Sequence, residues 1–119
     1  MANYHISMIR GDTLSFNLEF TGLDKEIDTA CLTVKEYEDG DIIFQKNLDN
    51  GNGITKLDDT HYTVRVAPED TEDLVAKSYH FDLEISIVVD EVFEKSDVFT
   101  IMRGILEIEK DVTYEEERR

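Results

Sequence analysis

Tyr79-His80-Phe81-Asp82-Leu83-Glu84-Ile85-Ser86-Ile87 is the stretch that decides the fold. Apolar side chains hold every odd position and polar ones every even position. Successive side chains of an extended chain point to opposite faces, so this is a strand with one buried and one wet face. The same period of two runs through Leu14, Phe16, Leu18 and Phe20, and through Tyr62, Val64 and Val66. Tyr4–Ile9, Thr29–Glu36, Asp41–Lys46 and a long run from Asp97 to Glu109 read as further strands. Between them lie Arg10-Gly11-Asp12, Glu38-Asp39-Gly40-Asp41 and Asp49-Asn50-Gly51-Asn52-Gly53, whose residues favour tight or left-handed turns. Short alternating strands with regular turns predict an all-β domain, an immunoglobulin-like β-sandwich of about seven to nine strands.

Two local features refine that expectation. In the last strand Phe99 and Ile101 are odd-numbered, while Leu106 and Ile108 are even-numbered. A one-residue bulge at Arg103-Gly104 would return the apolar side chains to the core. A strand crossing from one sheet edge to the other would show the same pattern. The segment Pro68–Leu74 is a short helical turn, with proline suited to a first turn and acids that complement the helix dipole. It precedes Tyr79, two residues before Phe81, which is the arrangement of a tyrosine corner. Tyr79 is expected to hold that corner, and Phe16, Phe81, Leu83 and Ile85 to form the core.

The 119 residues suit one domain, with the sandwich over 1–112 and a helical or disordered tail over 113–119. Thr113-Tyr114-Glu115-Glu116 matches a capping box, which marks either a helix completed on a partner or a frayed acidic tail. Thr113, Tyr114 and Glu116 are therefore interface candidates. Twelve basic residues stand against 28 acidic ones, a formal charge of −16. That charge repels phosphate backbones and anionic bilayers, so neither nucleic acid nor membrane is an expected partner. No apolar run approaches the roughly 20 residues of a membrane span, and the N-terminus lacks the pattern of a secretory signal. One cysteine, Cys31, excludes an intrachain disulfide and reads as a partly buried, inert thiol.

Catalysis has no support in the residues. No nucleophile elbow, phosphate loop or metalloprotease helix is present, and no catalytic or cofactor-binding residue is assigned. His80, Asp82 and Glu84 alternate on one strand and would share a face, a spacing that can hold a metal, especially if His61 faced them from a neighbouring strand. The ordinary reading is a solvated sheet face, and no metal or cofactor is assigned. Asp49–Gly53 with Asp58-Asp59 departs from the calcium-loop pattern, because glycines stand where oxygen ligands are needed. Arg10-Gly11-Asp12 spells an integrin-recognition tripeptide, yet Gly-Asp before an alternating strand is ordinary turn material.

Several of these pieces occur together in a known order. Arg10-Gly11-Asp12-Thr13 leads into a strand. Asp39-Gly40-Asp41-Ile42-Ile43-Phe44-Gln45-Lys46 follows, then Pro68-Glu69-Asp70-Thr71 with Leu74, then Tyr79-His80-Phe81-Asp82. Arg103-Gly104, Leu106-Glu107-Ile108 and Asp111-Val112-Thr113 close the chain. From about residue 6 to 113 the chain resembles the N-terminal domain of the phage baseplate upper protein of tailed phages and prophages. The resemblance implies an immunoglobulin-like sandwich with a structural role in a virion tail tip, made in the bacterial cytoplasm. Its implied partners are other phage tail and baseplate proteins, with homo-oligomer formation left open. In that family a helical linker follows, and Thr113 falls where it would begin. The alternative expectation is a free-standing immunoglobulin-like module for a small ligand, glycan or calcium. The acid-rich surface favours it, and the lack of tryptophan counts against it.

Overall fold

The computed structural model describes residues 3–22, 27–48, 51–90, 92 and 95–111. Eight strands and one helical turn follow in order: β1 (Asn3–Ile9), β2 (Leu14–Glu19), β3 (Ile27–Lys35), β4 (Ile42–Asn47), β5 (Ile54–Lys56), β6 (His61–Val66), α1 (Pro68–Thr71), β7 (Ser78–Asp90) and β8 (Lys95–Glu109). They form a five-stranded sheet in the order β1-β8-β7-β3-β4 and a three-stranded sheet in the order β2-β6-β5. In immunoglobulin lettering the smaller sheet is B-E-D and the larger contains G-F-C-C′. The protein is thus an all-β, immunoglobulin-like sandwich. β1 runs parallel to β8, while the other named strand pairs are antiparallel. β5 escapes a reading by alternation because it is three residues long.

The core lies where the inner faces meet. Ala30, Leu32 and Val34 of β3, Tyr79, Phe81, Leu83 and Ile85 of β7, and Leu106 and Ile108 of β8 face Ile54 of β5 and Tyr62, Val64 and Val66 of β6. Each buried aliphatic or aromatic side chain contributes roughly 1.5–3 kcal/mol through removal of apolar area from water. Phe16 differs from its expected place. β2 is an edge strand, and Phe16 is half-buried against the core rather than within it. Phe81, two residues past the corner tyrosine, stands where antibody domains put the second cysteine of their inter-sheet disulfide. Apolar packing takes the place of that bridge.

The parity change in β8 is real but lies elsewhere than expected. Leu83 is opposite Met102 and Glu84 opposite Thr100, so Ile101 is the extra residue. Ile101 and Met102 both pack against the core. β8 stays between β7 and β1 and does not cross between sheet edges. Gly104 is not in the bulge. It is opposite Tyr4, and a Cβ there would overlap the Tyr4 carbonyl oxygen. Close backbone approach is what this position demands of its residue.

Polar contacts, some local and some between groups distant in sequence, tie α1 and the corner before β7 to the sandwich. The Tyr79 hydroxyl donates to the Val75 carbonyl at 2.7 Å, the geometry of a tyrosine corner. The Asp70 carboxylate accepts from the Ala67 N–H at 2.7 Å, which satisfies a donor at the start of α1. The same carboxylate meets Lys46 Nζ at 2.5 Å, with both side chains largely buried. Gly53 makes this possible. It adopts φ +88°, and a Cβ would press on the Lys46 stem. Thr71, fully buried, accepts from the Gly11 N–H at 2.8 Å. Arg10 donates to Asp111 from Nε at 3.2 Å and from Nη2 at 3.0 Å, and from Nη1 to the Leu74 carbonyl at 3.2 Å.

The expected tail lies outside the described residues, and with it Thr113, Tyr114 and Glu116. No helix among the described residues is long and apolar enough to cross a membrane.

Candidate functional site

The strand registers set out the wet face of the five-stranded sheet as cross-strand rows. One row runs Lys35, His80, Ile105, His5 across β3, β7, β8 and β1. The next runs Gln45, Thr33, Asp82, Arg103, Asn3 from β4 to β1. A third runs Asn47, Cys31, Glu84, Thr100. Residues opposite one another on a sheet face have Cβ atoms about 5 Å apart, so these rows are true neighbours. A shallow, open groove of about 410 Å³ crosses the first two rows, with Lys35, Glu38, His80, Asp82 and Arg103 among its lining. His80 Nδ1 approaches Glu38 Oε1 at 3.9 Å, and His5 Nε2 meets Glu107 Oε1 at 3.0 Å. Lys35, Asp82, Glu84 and Arg103 make no ion pair among the described residues.

The metal candidates fare differently from their expected grouping. His80, Asp82 and Glu84 do share the outer face, but they run along β7 in three successive rows. Two residues of strand span about 6.8 Å, too far for three side chains to close on one ion from a single strand. His61 belongs to β6 in the opposite sheet and cannot complete the set. No group of three or more histidine, cysteine or acidic side chains among the described residues could hold a metal ion.

His61 has its own partners in the turn between β5 and β6. Asp58 Oδ1 accepts from the N–H groups of Thr60 and His61, each at 2.9 Å, and from Thr60 Oγ1 at 3.1 Å. His61 Nδ1 lies 2.9 Å from both Asp58 Oδ1 and Thr60 Oγ1, and Nε2 lies 3.7 Å from Glu19. By residue type this is a catalytic triple; by geometry it is not. Threonine and aspartate both address the same imidazole nitrogen, whereas a relay needs base and orienting acid on opposite nitrogens. The cluster ties a turn. Backbone donation from Thr60, then the His61 side chain, lowers the Asp58 pKa to about 2. The hydrogen bond to Asp58, then the nearby carboxylate charges, raises the His61 pKa above 6.5. The Asp58-x-Thr60 spacing is an Asx-turn signature and was the one sequence signal for it.

Arg10-Gly11-Asp12 is equally structural. Arg10 is held by Asp111 and the Leu74 carbonyl, and Gly11 is buried with φ +80°. An adhesion loop presents its arginine to solvent; this one is folded onto its own domain. Cys31 is half-buried in the third row, with Sγ 3.6 Å from Thr33 Oγ1. Thr33 is no general base, so this contact does not activate the thiol.

Neither a family model nor a curated protein matches the chain. Among solved structures it is similar to a chain of the ZIG-8–RIG-5 IG1–IG1 heterodimer, with TM-score 0.41 and 10% identity. That match covers 90% of this chain and 82% of the other.

Proposed function

We propose that the domain is a non-catalytic, immunoglobulin-like binding module that works by protein–protein contact through the outer face of its five-stranded sheet. The observation that carries this is the set Lys35, Asp82, Glu84 and Arg103. Four charges of both signs stand on one sheet face with no ion-pair partner among the described residues. Charge patterns of this kind fix partner register and suppress wrong partners more than they add affinity. The open groove suits a protein surface better than a drug-sized ligand, which usually has most of its area enclosed.

A place in a phage baseplate is the finer form of this proposal. The resemblance in motif order supports it. In that setting the domain sits in the virion tail tip as a docking component. A free-standing module for a protein, glycan or other ligand is the alternative, and it needs only the fold and the face.

The test has two arms, each run with the wild-type domain and a Lys35→Glu/Arg103→Glu variant. Absolute mass by light scattering over a concentration series reads self-association. Capture of purified phage tail proteins on immobilised domain reads docking. Association that the variant loses supports the outer face as the docking surface. Association that the variant keeps removes that face from the proposal. A strict monomer that captures no tail protein counts against the baseplate and moves weight to the free-standing module.

A further inference from the structure

From the geometry of β8 we infer a second contact site, separate from the outer face: an open strand lane that takes an extended, cationic segment of a partner protein. β8 has fifteen residues, and β1 pairs only with Arg103–Glu109. No described strand lies beside β8 from Lys95 to Met102 on that side. Among the described residues, the lane that β1 fills at one end of the sandwich is therefore open at the other. Six residues of strand span about 20 Å, enough to seat a short added strand through main-chain hydrogen bonds.

The exposed side chains fit such an occupant. Val98 and Phe99 are 58% and 46% exposed and project to opposite faces of the sheet. An added strand would cover both. Edge strands in monomeric proteins carry devices that prevent pairing, and two of the edges here, β4 and β5, carry them. β4 turns the charged Lys46 inward, and β5 is only three residues long. Val98-Phe99-Thr100 carries no charge and no proline, and the bulge at Ile101 comes after it.

Charge selects the occupant. The protein carries −16, so a second copy brings the same sign to the contact. Asp97, exposed on β8 itself, lies in the open stretch and shares the face of Phe99, while Val98 projects to the other. An extended segment alternating apolar with lysine or arginine residues would cover Val98 with one face, and with the other would lay its long cationic side chains over Phe99 and against Asp97. The attraction would weaken as salt shortens the Debye length.

The probe is a fluorescein-labelled peptide of alternating lysine and valine, with its glutamate–valine counterpart as control. Anisotropy reads binding to the whole domain, and amide hydrogen exchange reads where. The expected result is salt-sensitive binding of the lysine peptide alone, with new protection at Ser96–Thr100. A Val98→Thr/Phe99→Ser variant should bind at least tenfold more weakly while keeping its circular dichroism spectrum, and Asp97→Lys should weaken binding further. Lys35→Glu/Arg103→Glu should leave the protection at Ser96–Thr100 in place, which separates this site from the outer face. No binding overturns the inference. So does binding that the Val98/Phe99 variant keeps, with protection spread over the acidic surface. Self-association of the domain that protects the same amides assigns the lane to a second copy and also overturns it.

Discussion

Asp58 collects four donors on one oxygen, and the consequence is a pH dependence that belongs to a single turn. Its folded pKa is lowered from 3.8 to about 2, chiefly by the Thr60 N–H. A lowered carboxylate pKa contributes stability above the unfolded value, which is lost as pH falls toward about 2. His61 runs the other way. Its folded pKa is raised above 6.5, so its contribution is full below 6.5 and lost as pH rises through the raised value. The turn is therefore held best between about pH 4 and pH 6.5. Proton NMR of the imidazole should show His61 titrating above 6.5, and Asp58→Asn should bring that midpoint down. An unchanged midpoint in the variant would show that Asp58 is not the cause. At the same scale, Gly104 shows how a residue's reason differs from its pattern. A glycine in a strand suggests a bulge or a close approach, and only the position of Tyr4 decides between them.

Elements are joined here by polar contacts that no period reveals. Lys46 alternates with Phe44 on β4, so its side chain shares the inner face with Leu32 and Val34. A lysine there needs a counter-charge, and α1 supplies Asp70. Removing one partner of a buried pair leaves an uncompensated charge, so Asp70→Ala should cost about 3–5 kcal/mol. Asp70→Ala also removes the acceptor for the Ala67 N–H. Adding Lys46→Met to Asp70→Ala should recover most of that loss, since apolar substitutes for a buried pair are often neutral. Urea unfolding of the three proteins checks both figures. Equal losses in single and double variants would mean that the helix start, not the ion pair, carries the effect.

The whole molecule is shaped by its excess of acid. A charge of −16 on 119 residues repels itself in the compact state. Ion pairs on the described surface are few and mostly exposed, so they offset little of it. Added salt should therefore stabilise this fold. Between about 0.01 M and 1 M salt the Debye length falls from about 30 to 3 Å, and the melting temperature should rise steadily across that range. A melting temperature that falls would mean that attractive pairs outweigh the repulsion.

The strands, their wet and dry faces, the helical turn at Pro68 and the corner at Tyr79 were legible in the chain, because alternation and turn chemistry are local. Period two determined that Phe81, Leu83 and Ile85 face inward and that His80, Asp82 and Glu84 face out. The three-residue β5 was beyond that reading, since a period needs length to show. Only the tertiary structure decided which strands are neighbours. It put His61 in the opposite sheet from His80, moved the bulge of β8 to Ile101, and set no described strand along one side of Lys95–Met102. It joined Arg10 to Asp111, Gly11 to Thr71 and Lys46 to Asp70. The physical reason is that backbone periodicity is set within a few residues, while pairing depends on how the whole chain closes around its core.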